Sequence, residues 1–531
     1  MGIPSFFSYI IKNHPEIIKQ IANNNLIFNN FYLDSNSIIY DSMRQIEYQN
    51  NDREFEEELI KKVCKKIDEY IKIISPDGII YIAFDGVAPV AKMEQQRTRR
   101  YKSSFESKLK KKLGNEGVIG WNKTAITPGT EFMNKLDKYI HNHYRNSEKK
   151  FGVKKIIIST STEVGEGEHK IFQFIRNNPD LHKKNTLVYG LDADLIMLGL
   201  NHLPVANKIY LFRETPEFIK SINSRFIPNE NYILDLPELA KTIISRMNNY
   251  KTINKKQQHN RLYDYIFLCF FLGNDFLPHF PSVNIRTNGI EILLDAYSAT
   301  IGKTDNNLTD GKQIFWKNIY KFIKYLSENE RENLKHEYKI RERWEKRRFK
   351  ANTNEEKLMK LQNIPIKKRD IEKYIDPYKF LWQKRYYEKL FHTDINHDYK
   401  KSICVNYLEG LEWVIKYYTT NCVDWRWHYR YHYPPLLTDL LVFIPHFNTC
   451  MIEKNNNKPV HPYVQLSYVL PRDSLYLLPY NIYMKLIKEK KKYYNENCDF
   501  IWSFCKYFWE SHVKMPTIDL DELEQFIEKI K

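Results

Sequence analysis

The stretch from Thr186 to Asp194 reads TLVYGLDAD, a short run of apolar and β-branched residues that ends in two acids. Its length and composition are typical of a buried strand, so we predict a strand over Thr186–Leu191. Asp192 and Asp194 are two positions apart, and in an extended chain side chains with this spacing point to the same side. Both carboxylates are therefore predicted to reach one site beyond the end of the strand.

The same pattern occurs three more times in the first part of the chain, where each predicted strand is followed by a carboxylate. These strands and acids are Phe31–Leu33 with Asp34, Gly78–Phe84 with Asp85, and Lys155–Ser159 with Glu166. Longer helical patterns separate the strands, which indicates βα units around a mainly parallel sheet. Because ligands of such sheets lie beyond the carboxyl ends of the strands, we expect the acids to converge there.

Two further motifs enlarge this acidic set. Glu166 and Glu168 stand in GEGEHK, and Asp275 follows the apolar run Ile266–Leu272 in GNDFLP. Taken alone, acids at a helix start complement the helix dipole, and an aspartate in such a position begins a turn. Many acids in one lobe, however, repel one another unless cations neutralise them. Carboxylate oxygens suit Mg²⁺ or Mn²⁺ rather than zinc, and two such ions support phosphodiester hydrolysis.

A basic helix is predicted directly after the second strand. Pro89, a favourable helix start, follows Asp85 by four positions, and nine Lys or Arg against two Glu stand between Lys92 and Lys112. One helical face of this segment is cationic and polar where a core helix would be apolar. An ordinary solvated helix is the alternative for an isolated segment. Its place beside an acidic site instead favours binding of a terminal phosphate.

Length and charge favour a globular protein with a polyanionic partner. The 531 residues exceed the roughly 250–300 at which a single core stops growing. Lys plus Arg outnumber Asp plus Glu by 82 to 65, which gives a net charge of +17. This balance favours nucleic acid, although A/T-biased codon usage is an alternative source of the lysine excess.

Several classes of protein are excluded by the sequence. The seven cysteines form no C-x-x-C pair, which argues against disulfide scaffolds and zinc ribbons. No apolar run approaches the roughly 18 residues of a membrane span, and the N-terminus lacks the pattern of a signal peptide. Phe6 stands where a myristoylation motif needs Ser or Thr. We expect a soluble protein of a reducing compartment, cytoplasmic or nuclear, without membrane association.

Changes in composition divide the chain into three predicted regions. Residues 1–302 form the catalytic α/β lobe with its mainly parallel sheet. Residues 303–370 form a charged helical connector, in which Ser327–Lys350 is predicted to be a long solvated helix with little core face. Residues 371–531 form a second, mainly helical and aromatic-rich lobe with the C-terminal tail.

Eight sequence words, taken together and in order, resemble the XRN family of 5′-to-3′ exoribonucleases. They are MGIPSFF (1–7), YLDSNSII (32–39), AFDGVAP (83–89), EGEHK (166–170), GLDADL (190–195), GNDFLP (273–278), YLEGLEWV (407–414) and YHYPP (431–435). So many words in the right order are far more specific than one short motif. The resemblance runs from Met1 to about Pro479, so we expect a compact member, cellular or viral, with the whole catalytic core and without the large C-terminal additions of the longest relatives.

The resemblance implies a nuclease lobe similar to PIN and flap nucleases, with a second lobe that completes the active-site channel. The acids implied to hold two Mg²⁺ ions, for which Mn²⁺ can substitute, are Asp34, Asp85, Glu166, Glu168, Asp192, Asp194 and Asp275. The residues implied to grip a 5′-monophosphate, in a pocket too small for a cap or a triphosphate, are Lys92, Gln96, Arg99 and Arg100. The implied activity is that of a monomer that degrades single-stranded RNA processively to 5′-mononucleotides in RNA decay.

One position departs from the family, which usually has His where this chain has Tyr40. The family residue stacks on the first bases of the RNA, and a tyrosine ring still permits stacking. Its partner is predicted to be Trp425 or Trp427, and both remain candidates. The alternative is that Tyr40 packs as core after Ile38 and Ile39, and that the tryptophans are core residues.

Two other functions are compatible with parts of the sequence. A flap-endonuclease-like DNA enzyme shares the acidic α/β lobe, but the YLEGL word and the basic helix argue against it. A catalytically silent RNA-binding or scaffolding protein shares the basic and aromatic surfaces. The presence of all seven acids argues against this second alternative.

Overall fold

A seven-stranded sheet forms the centre of the first lobe. The computed structural model describes residues 2–21, 26–112, 120–215, 219–228, 230–391, 396–495 and 498–531. The strands of the sheet are β1 (Ile18–Gln20), β2 (Asn30–Asp34), β3 (Ile79–Ala83), β4 (Lys155–Ser159), β5 (Thr186–Tyr189), β6 (Ile209–Glu214) and β7 (Asn231–Leu234). Their order is β1-β7-β6-β5-β2-β3-β4. Strands β6, β5, β2, β3 and β4 pair in parallel, whereas β7 pairs antiparallel with β6 and β1. The predicted α/β class with a mainly parallel sheet is confirmed.

All four predicted strands are present, and three others were missed. β1 has only three residues, two of them polar, and pairs with β7 at the edge of the sheet. A segment this short is defined by its neighbour rather than by its own pattern. The sequence of β6, IYLFRE, carries the apolar and aromatic signal of a strand, so this element was recognisable.

The residues of the central strands alternate between two cores, one on each face of the sheet. Tyr32, Tyr81 and Val188 face the core that includes the first helix, whereas Phe31 and Leu33 face the other. Period-two alternation places these side chains on opposite faces, and helices cover both. The helices of this lobe are α1 (Phe6–Asn13), α2 (Asn36–Met43), α3 (Asp52–Ile74), α4 (Val90–Lys112), α5 (Glu131–Tyr144), α6 (Glu148–Phe151), α7 (Gly167–Asn177), α8 (Asp194–His202), α9 (Ile219–Ile222), α10 (Leu236–Met247), α11 (Lys255–Phe270) and α12 (Gly289–Thr300).

The rest of the chain is mainly helical, as predicted. Its helices are α13 (Trp316–Glu345), α14 (Asn354–Gln362), α15 (Ile364–Lys367), α16 (Asp370–Ile375), α17 (Trp382–Phe391), α18 (His397–Thr419), α19 (Leu437–Phe443), α20 (Pro462–Val469), α21 (Tyr480–Glu489) and α22 (Leu520–Glu528). Strands β8 (Asp499–Ile501) and β9 (His512–Lys514) form a small antiparallel pair. No helix in the described ranges is both long and apolar enough to cross a membrane.

A helix was predicted correctly over most of 327–350, but the prediction that it is solvated with little core face was wrong. The helix α13 has a buried face that includes charged residues, among them Glu330, Glu337 and Arg341. The Arg341 guanidinium donates two hydrogen bonds to the carboxylate of Glu372 in α16, from Nε at 2.9 Å and from Nη2 at 2.7 Å. Charge density suggested solvent exposure, but partners distant in sequence pair with these charges and bury them.

The helix α18 belongs to the core of the first lobe as well as to the second region. Its residues Leu408, Leu411 and Val414 lie in the same apolar cluster as Leu195 and Ile196 of α8. A close approach at Gly410 supports this packing, because a Cβ there would lie 2.6 Å from Leu277 and 2.8 Å from the Trp427 ring. The second region therefore packs directly against the elements that carry the acids.

Candidate active site

Asp34 and Asp85 lie at the carboxyl ends of two adjacent parallel strands. Asp34 is the last residue of β2, and Asp85 follows β3 by two positions. One Asp85 oxygen accepts a hydrogen bond from the Asn36 side chain at 2.6 Å, and the other accepts from the Gly167 backbone N–H at 2.7 Å. The Oδ1 atom of Asp34 is buried and has no hydrogen-bond partner among the described residues. Parallel pairing of β2 with β3 places these two acids side by side.

The GEGEHK motif brings two further acids to this edge of the sheet. Glu166 occupies the N-cap position of α7 without a capping hydrogen bond from its side chain, and Glu168 lies in the first turn. A Cβ at Gly167 would lie 2.6 Å from Asp34 Oδ1, so only glycine permits this approach. The ammonium of Lys170 donates to the carbonyls of Phe84 and Thr160, both at 2.8 Å, and thereby joins α7 to the ends of β3 and β4.

The prediction for Asp192 and Asp194 gave the wrong local structure. The strand β5 ends at Tyr189, and Asp194 is the first residue of α8, so the pair does not extend the strand. Asp192 is exposed, whereas Asp194 is 2% exposed. The Asp194 carboxylate accepts a hydrogen bond from the Tyr418 hydroxyl at 2.9 Å. The irregular segment 190–193 between β5 and α8, rather than strand alternation, brings these acids to the site.

Asp275 reaches the same site from a helical element. It lies in the loop after α11, because the apolar run that precedes it is the last part of this helix. Lys92 of α4 places its Nζ atom 2.8 Å from an Asp275 oxygen and 2.5 Å from a Glu166 oxygen. Lys92 thus lies within the acidic cluster and links two of its members.

Burial and repulsion between neighbouring acids both affect the pKa values of Asp34, Glu168 and Asp194. Burial, and then the charges of Asp85, Asp192 and Glu166, raise the pKa of Asp34 well above its usual range. Burial and the neighbouring Asp194 do the same for the pKa of Glu168. Burial and Asp275 raise the pKa of Asp194 to about 6.

Lys92 counteracts part of this repulsion. Burial raises the pKa of Glu166, and the Lys92 ammonium opposes that change. Burial also acts to raise the pKa of Asp275, but Lys92 outweighs it and holds this pKa below its usual range. One ammonium does not balance seven carboxylates, so additional positive charge would stabilise the cluster.

The donor set of this cluster fits hard divalent cations. Asp34 Oδ1 and Glu168 Oε2 are buried oxygens without hydrogen-bond partners in the described part of the chain. Buried carboxylate oxygens without donors are costly unless a cation binds them. As the side chains stand, no three His, Cys, Asp or Glu residues in the described ranges form a ready metal-binding group. Glu166 and Asp275 are paired with Lys92, so a bound ion would compete with this ammonium for them.

The predicted basic helix is α4, which begins one residue after Pro89. Lys92, Gln96 and Arg100 are buried or half-buried, whereas Arg99 is exposed. The Arg100 guanidinium donates to the Thr127 hydroxyl at 2.7 Å, and its Nη1 atom has no partner among the described residues. Burial lowers the pKa of Arg100 to about 10. The four residues assigned to a phosphate therefore form a row that begins inside the acidic cluster.

Comparison with known proteins identifies the family of this chain. Residues 1–215 match the family described as XRN 5′-3′ exonuclease N-terminus, and residues 255–379 and 367–531 match the Xrn1 helical domain. The chain belongs to the XRN family. These two matches cover both lobes, so the predicted resemblance is confirmed.

Three relatives show the extent of the similarity. The 5′-3′ exoribonuclease 2 homolog of Drosophila melanogaster is 28% identical over 98% of this chain and 70% of that protein. The 5′-3′ exoribonuclease 1 of Saccharomyces cerevisiae is 29% identical over 90% of this chain and 40% of that protein. The human 5′-3′ exoribonuclease 1 is 28% identical over 99% of this chain and 34% of that protein. The chain thus spans about a third to 70% of the length of these relatives.

The two tryptophan candidates of this XRN chain have different surroundings. Trp427 is 8% exposed, and its ring stacks on Trp413 at 5.2 Å between centroids. Trp425 is half-buried, and its carbonyl accepts a hydrogen bond from Val90, the first residue of α4, at 3.0 Å. Tyr40 is half-buried in α2 and packs at the margin of a core cluster. The geometry favours Trp425 over Trp427 as a stacking surface, and the stacking role itself stays a prediction.

Two tyrosines of α18 contact the acids and were not among the predicted site residues. The Tyr417 hydroxyl donates to Glu166 at 2.9 Å, in addition to the contact of Tyr418 with Asp194. His169 of the GEGEHK motif stacks on the Tyr417 ring at 3.7 Å between centroids. The YLEGLEWV word lies in the same helix, but no pattern in the sequence connects the two tyrosines to the acids of the first lobe. Only the docking of α18 brings them together.

Proposed function

We propose that this XRN-family chain is a processive 5′-to-3′ exoribonuclease that uses two Mg²⁺ ions to release 5′-mononucleotides from 5′-monophosphorylated RNA. The observation that carries this proposal is the cluster of seven acids, into which a basic helix projects and in which two buried oxygens have no partner among the residues that the structure describes. The names of the relatives, all 5′-3′ exoribonucleases, support the same activity. We assign the enzyme to RNA decay in the cytoplasm or nucleus, as a monomer.

The acids of the cluster have distinct tasks in this mechanism. Bound divalent ions would activate the attacking water and stabilise the leaving oxygen, as in other two-metal nucleases. Asp85 is held in one orientation by Asn36 and the Gly167 N–H, which prepares it as a ligand. Asp34 and Glu168 each present an oxygen that has no donor within the described ranges. Asp192, exposed at the edge of the cluster, lies where substrate phosphate can approach.

The basic helix determines the end of the RNA at which cleavage begins. Arg100 Nη1 and Gln96 Oε1 are buried polar atoms without partners in the described ranges, so a bound phosphate would give the arginine an acceptor. Arg99 is exposed beside them and adds a second cationic group. A site that selects a terminal phosphate places the 5′ end of the strand next to the acids. Cleavage then proceeds from that end.

The test compares matched RNA and DNA strands that carry either a 5′-phosphate or a 5′-hydroxyl, each with Mg²⁺ or with EDTA. We expect mononucleotides to be released from the 5′ end of 5′-phosphorylated RNA, and only when Mg²⁺ is present. Preferential cleavage of branched or flap DNA would support the flap-endonuclease alternative instead. Tight binding of RNA without products under any condition would support a silent RNA-binding protein.

A further inference from the structure

The second lobe supplies hydrogen-bond donors to two carboxylates of the first lobe. Tyr417 and Tyr418 are consecutive residues near the end of α18, and both are almost fully buried. Their hydroxyls donate to different acids, Glu166 and Asp194, at 2.9 Å in each case. These acids belong to separate elements, the start of α7 and the start of α8. Two consecutive residues of the second lobe therefore hold carboxylates of the acidic cluster that belong to different elements.

Packing alone accounts for the rings but not for the hydroxyls. The Tyr417 ring stacks on Trp413 and His169, and the Tyr418 ring contacts Phe270 edge to face. Phenylalanine would preserve all of these ring contacts. The hydroxyls instead add hydrogen bonds to charged acceptors in a water-poor site, where such bonds are stronger than between neutral groups. Tyr417 binds the Oε1 atom of Glu166, whereas the Oε2 atom pairs with the Lys92 ammonium at 2.5 Å.

Further polar contacts join the lobes close to this dipeptide. The Tyr418 carbonyl accepts a hydrogen bond from the Asn201 side chain of α8 at 3.1 Å. The Arg176 guanidinium, at the end of α7, donates to the Asn421 side chain just after α18 at 3.2 Å. The helices that carry Asp194 and Glu166 are thus both tied to α18 by polar contacts outside the acidic cluster. The orientation of the two hydroxyls is therefore set by the docked second lobe.

We propose that Tyr417 and Tyr418 are positioning residues of the metal centre, through which the docked second lobe orients Glu166 and Asp194 and raises the affinity of the cluster for divalent cations. This inference rests on the proposed metal-dependent function. Groups that hold metal ligands in place change metal affinity by about 10–100-fold when they are removed. The XRN-family chain would then bind its metals fully only when α18 is in place against α7 and α8.

The test titrates Mn²⁺ into the metal-free full-length protein and follows the heat of binding. The variants are Tyr417→Phe and Tyr418→Phe, which keep the rings and remove only the hydroxyls. Tyr386→Phe is the matched control, because Tyr386 is also fully buried but its hydroxyl donates to the carbonyl of Pro434, away from the acids. We expect Mn²⁺ affinity to fall at least about 10-fold in the first two variants and to be unchanged in the control.

A second measurement separates positioning from a general loss of stability. The Mg²⁺ concentration that gives half-maximal hydrolysis should rise in Tyr417→Phe and Tyr418→Phe, and saturating Mg²⁺ should restore most of the rate. If one variant fails to fold by circular dichroism, the other decides the question. Wild-type Mn²⁺ affinity in a folded phenylalanine variant would overturn the inference and leave the proposed function intact. Failure of the wild-type protein to bind Mn²⁺ at all would overturn both.

Discussion

Asp194 is a buried acid of the cluster that the second lobe contacts directly. It is buried at the start of α8, and Tyr418 fixes one of its oxygens. We expect Asp194→Ala to reduce hydrolysis by at least about 100-fold, because the substitution would remove a proposed metal ligand, and metal ligation serves the transition state. Asp192→Ala should have the same effect. RNA affinity, measured in EDTA by fluorescence anisotropy, should change little.

The control for this prediction is Asp305→Ala, since Asp305 is an exposed acid whose carboxylate accepts a hydrogen bond from the Gln257 side chain and is not one of the seven acids. Its rate should equal that of the wild type. Turnover at the wild-type rate by Asp194→Ala in Mg²⁺ would remove the metal hypothesis.

Arg99 and Arg100 are adjacent in sequence but differ in their surroundings. Arg99 is exposed, whereas Arg100 is half-buried and bonded to Thr127. Loss of a charged hydrogen bond to phosphate costs about 1.5–3 kcal/mol, so Arg99→Ala should weaken the preference for a 5′-phosphate over a 5′-hydroxyl by about 10-fold or more. Arg100→Ala should lose the preference and also lower the melting temperature. Steady-state rates on the two substrates give the preference.

Arg53→Ala is the control for the arginine variants, because Arg53 has an 84% exposed side chain on α3. An unchanged 5′-phosphate preference in both Arg99→Ala and Arg100→Ala would contradict the assignment of α4 to the terminal phosphate.

Substitutions of Tyr40 distinguish a role in base stacking from a role in core packing. If its ring stacks on bases, Tyr40→Ala should lose about 1–3 kcal/mol of binding and shorten the runs of degradation per encounter. Tyr40→His should restore most of this loss. Because Tyr40 is only half-buried, the melting temperature should change little. Processivity is measured on long 5′-phosphorylated RNA with a trap for released enzyme. Normal processivity with a lowered melting temperature would show that the ring is part of the core.

At the level of elements, a buried ionic cluster joins α13, α16 and the segment before β9. Glu372 accepts from Arg341, from Arg369 Nε at 2.6 Å and from the Phe504 backbone N–H at 2.9 Å. Both arginines and Glu372 are at most 2% exposed. Removing one partner of a buried pair leaves uncompensated charge. The function of 303–370 as a connector stays a prediction, but its longest helix is a structural part of the second region.

We expect Glu372→Gln to destabilise the protein by about 3–5 kcal/mol, because it leaves two buried guanidinium groups with a neutral partner. Glu345→Gln is the control, since Glu345 also pairs with Arg369 but its side chain is 24% exposed. The control should cost less than about 1 kcal/mol. Urea unfolding gives both values. Equal stability of the two variants would show that the buried cluster contributes nothing beyond an ordinary surface pair.

At the scale of the whole molecule, we expect the net charge of +17 to strengthen RNA binding through phosphate contacts. The logarithm of RNA affinity should fall linearly with the logarithm of salt concentration, with a slope of about −0.7 per phosphate neutralised on a single strand. Arg99→Ala should make this slope less steep by about 0.7, whereas Lys241→Ala, an exposed position on α10, should not change it. A slope near zero in the wild type would mean that the lysine excess reflects codon usage alone.

The sequence alone determined the fold class and the family because both depend on local signals. Apolar runs of strand length that are followed by acids predicted β2, β3, β4 and β5, and parallel pairing of β2 with β3 brought Asp34 and Asp85 to the same edge. The motif words identified the XRN family from residue types and their order. The basic face of α4 could also be predicted from a local signal, since it depends only on the helical spacing of its residues.

Only the tertiary structure decided which groups meet across long separations in sequence. Lys92 was assigned to the phosphate from its helical face, yet folding places its ammonium between Glu166 and Asp275, 74 and 183 positions away. Tyr417 and Tyr418 reach the acids only because α18 docks on α7 and α8. The charged residues of α13 are buried because Glu372 lies opposite Arg341. Side-chain charge and helix period are properties of a segment, but burial and pairing depend on which segments the fold places in contact.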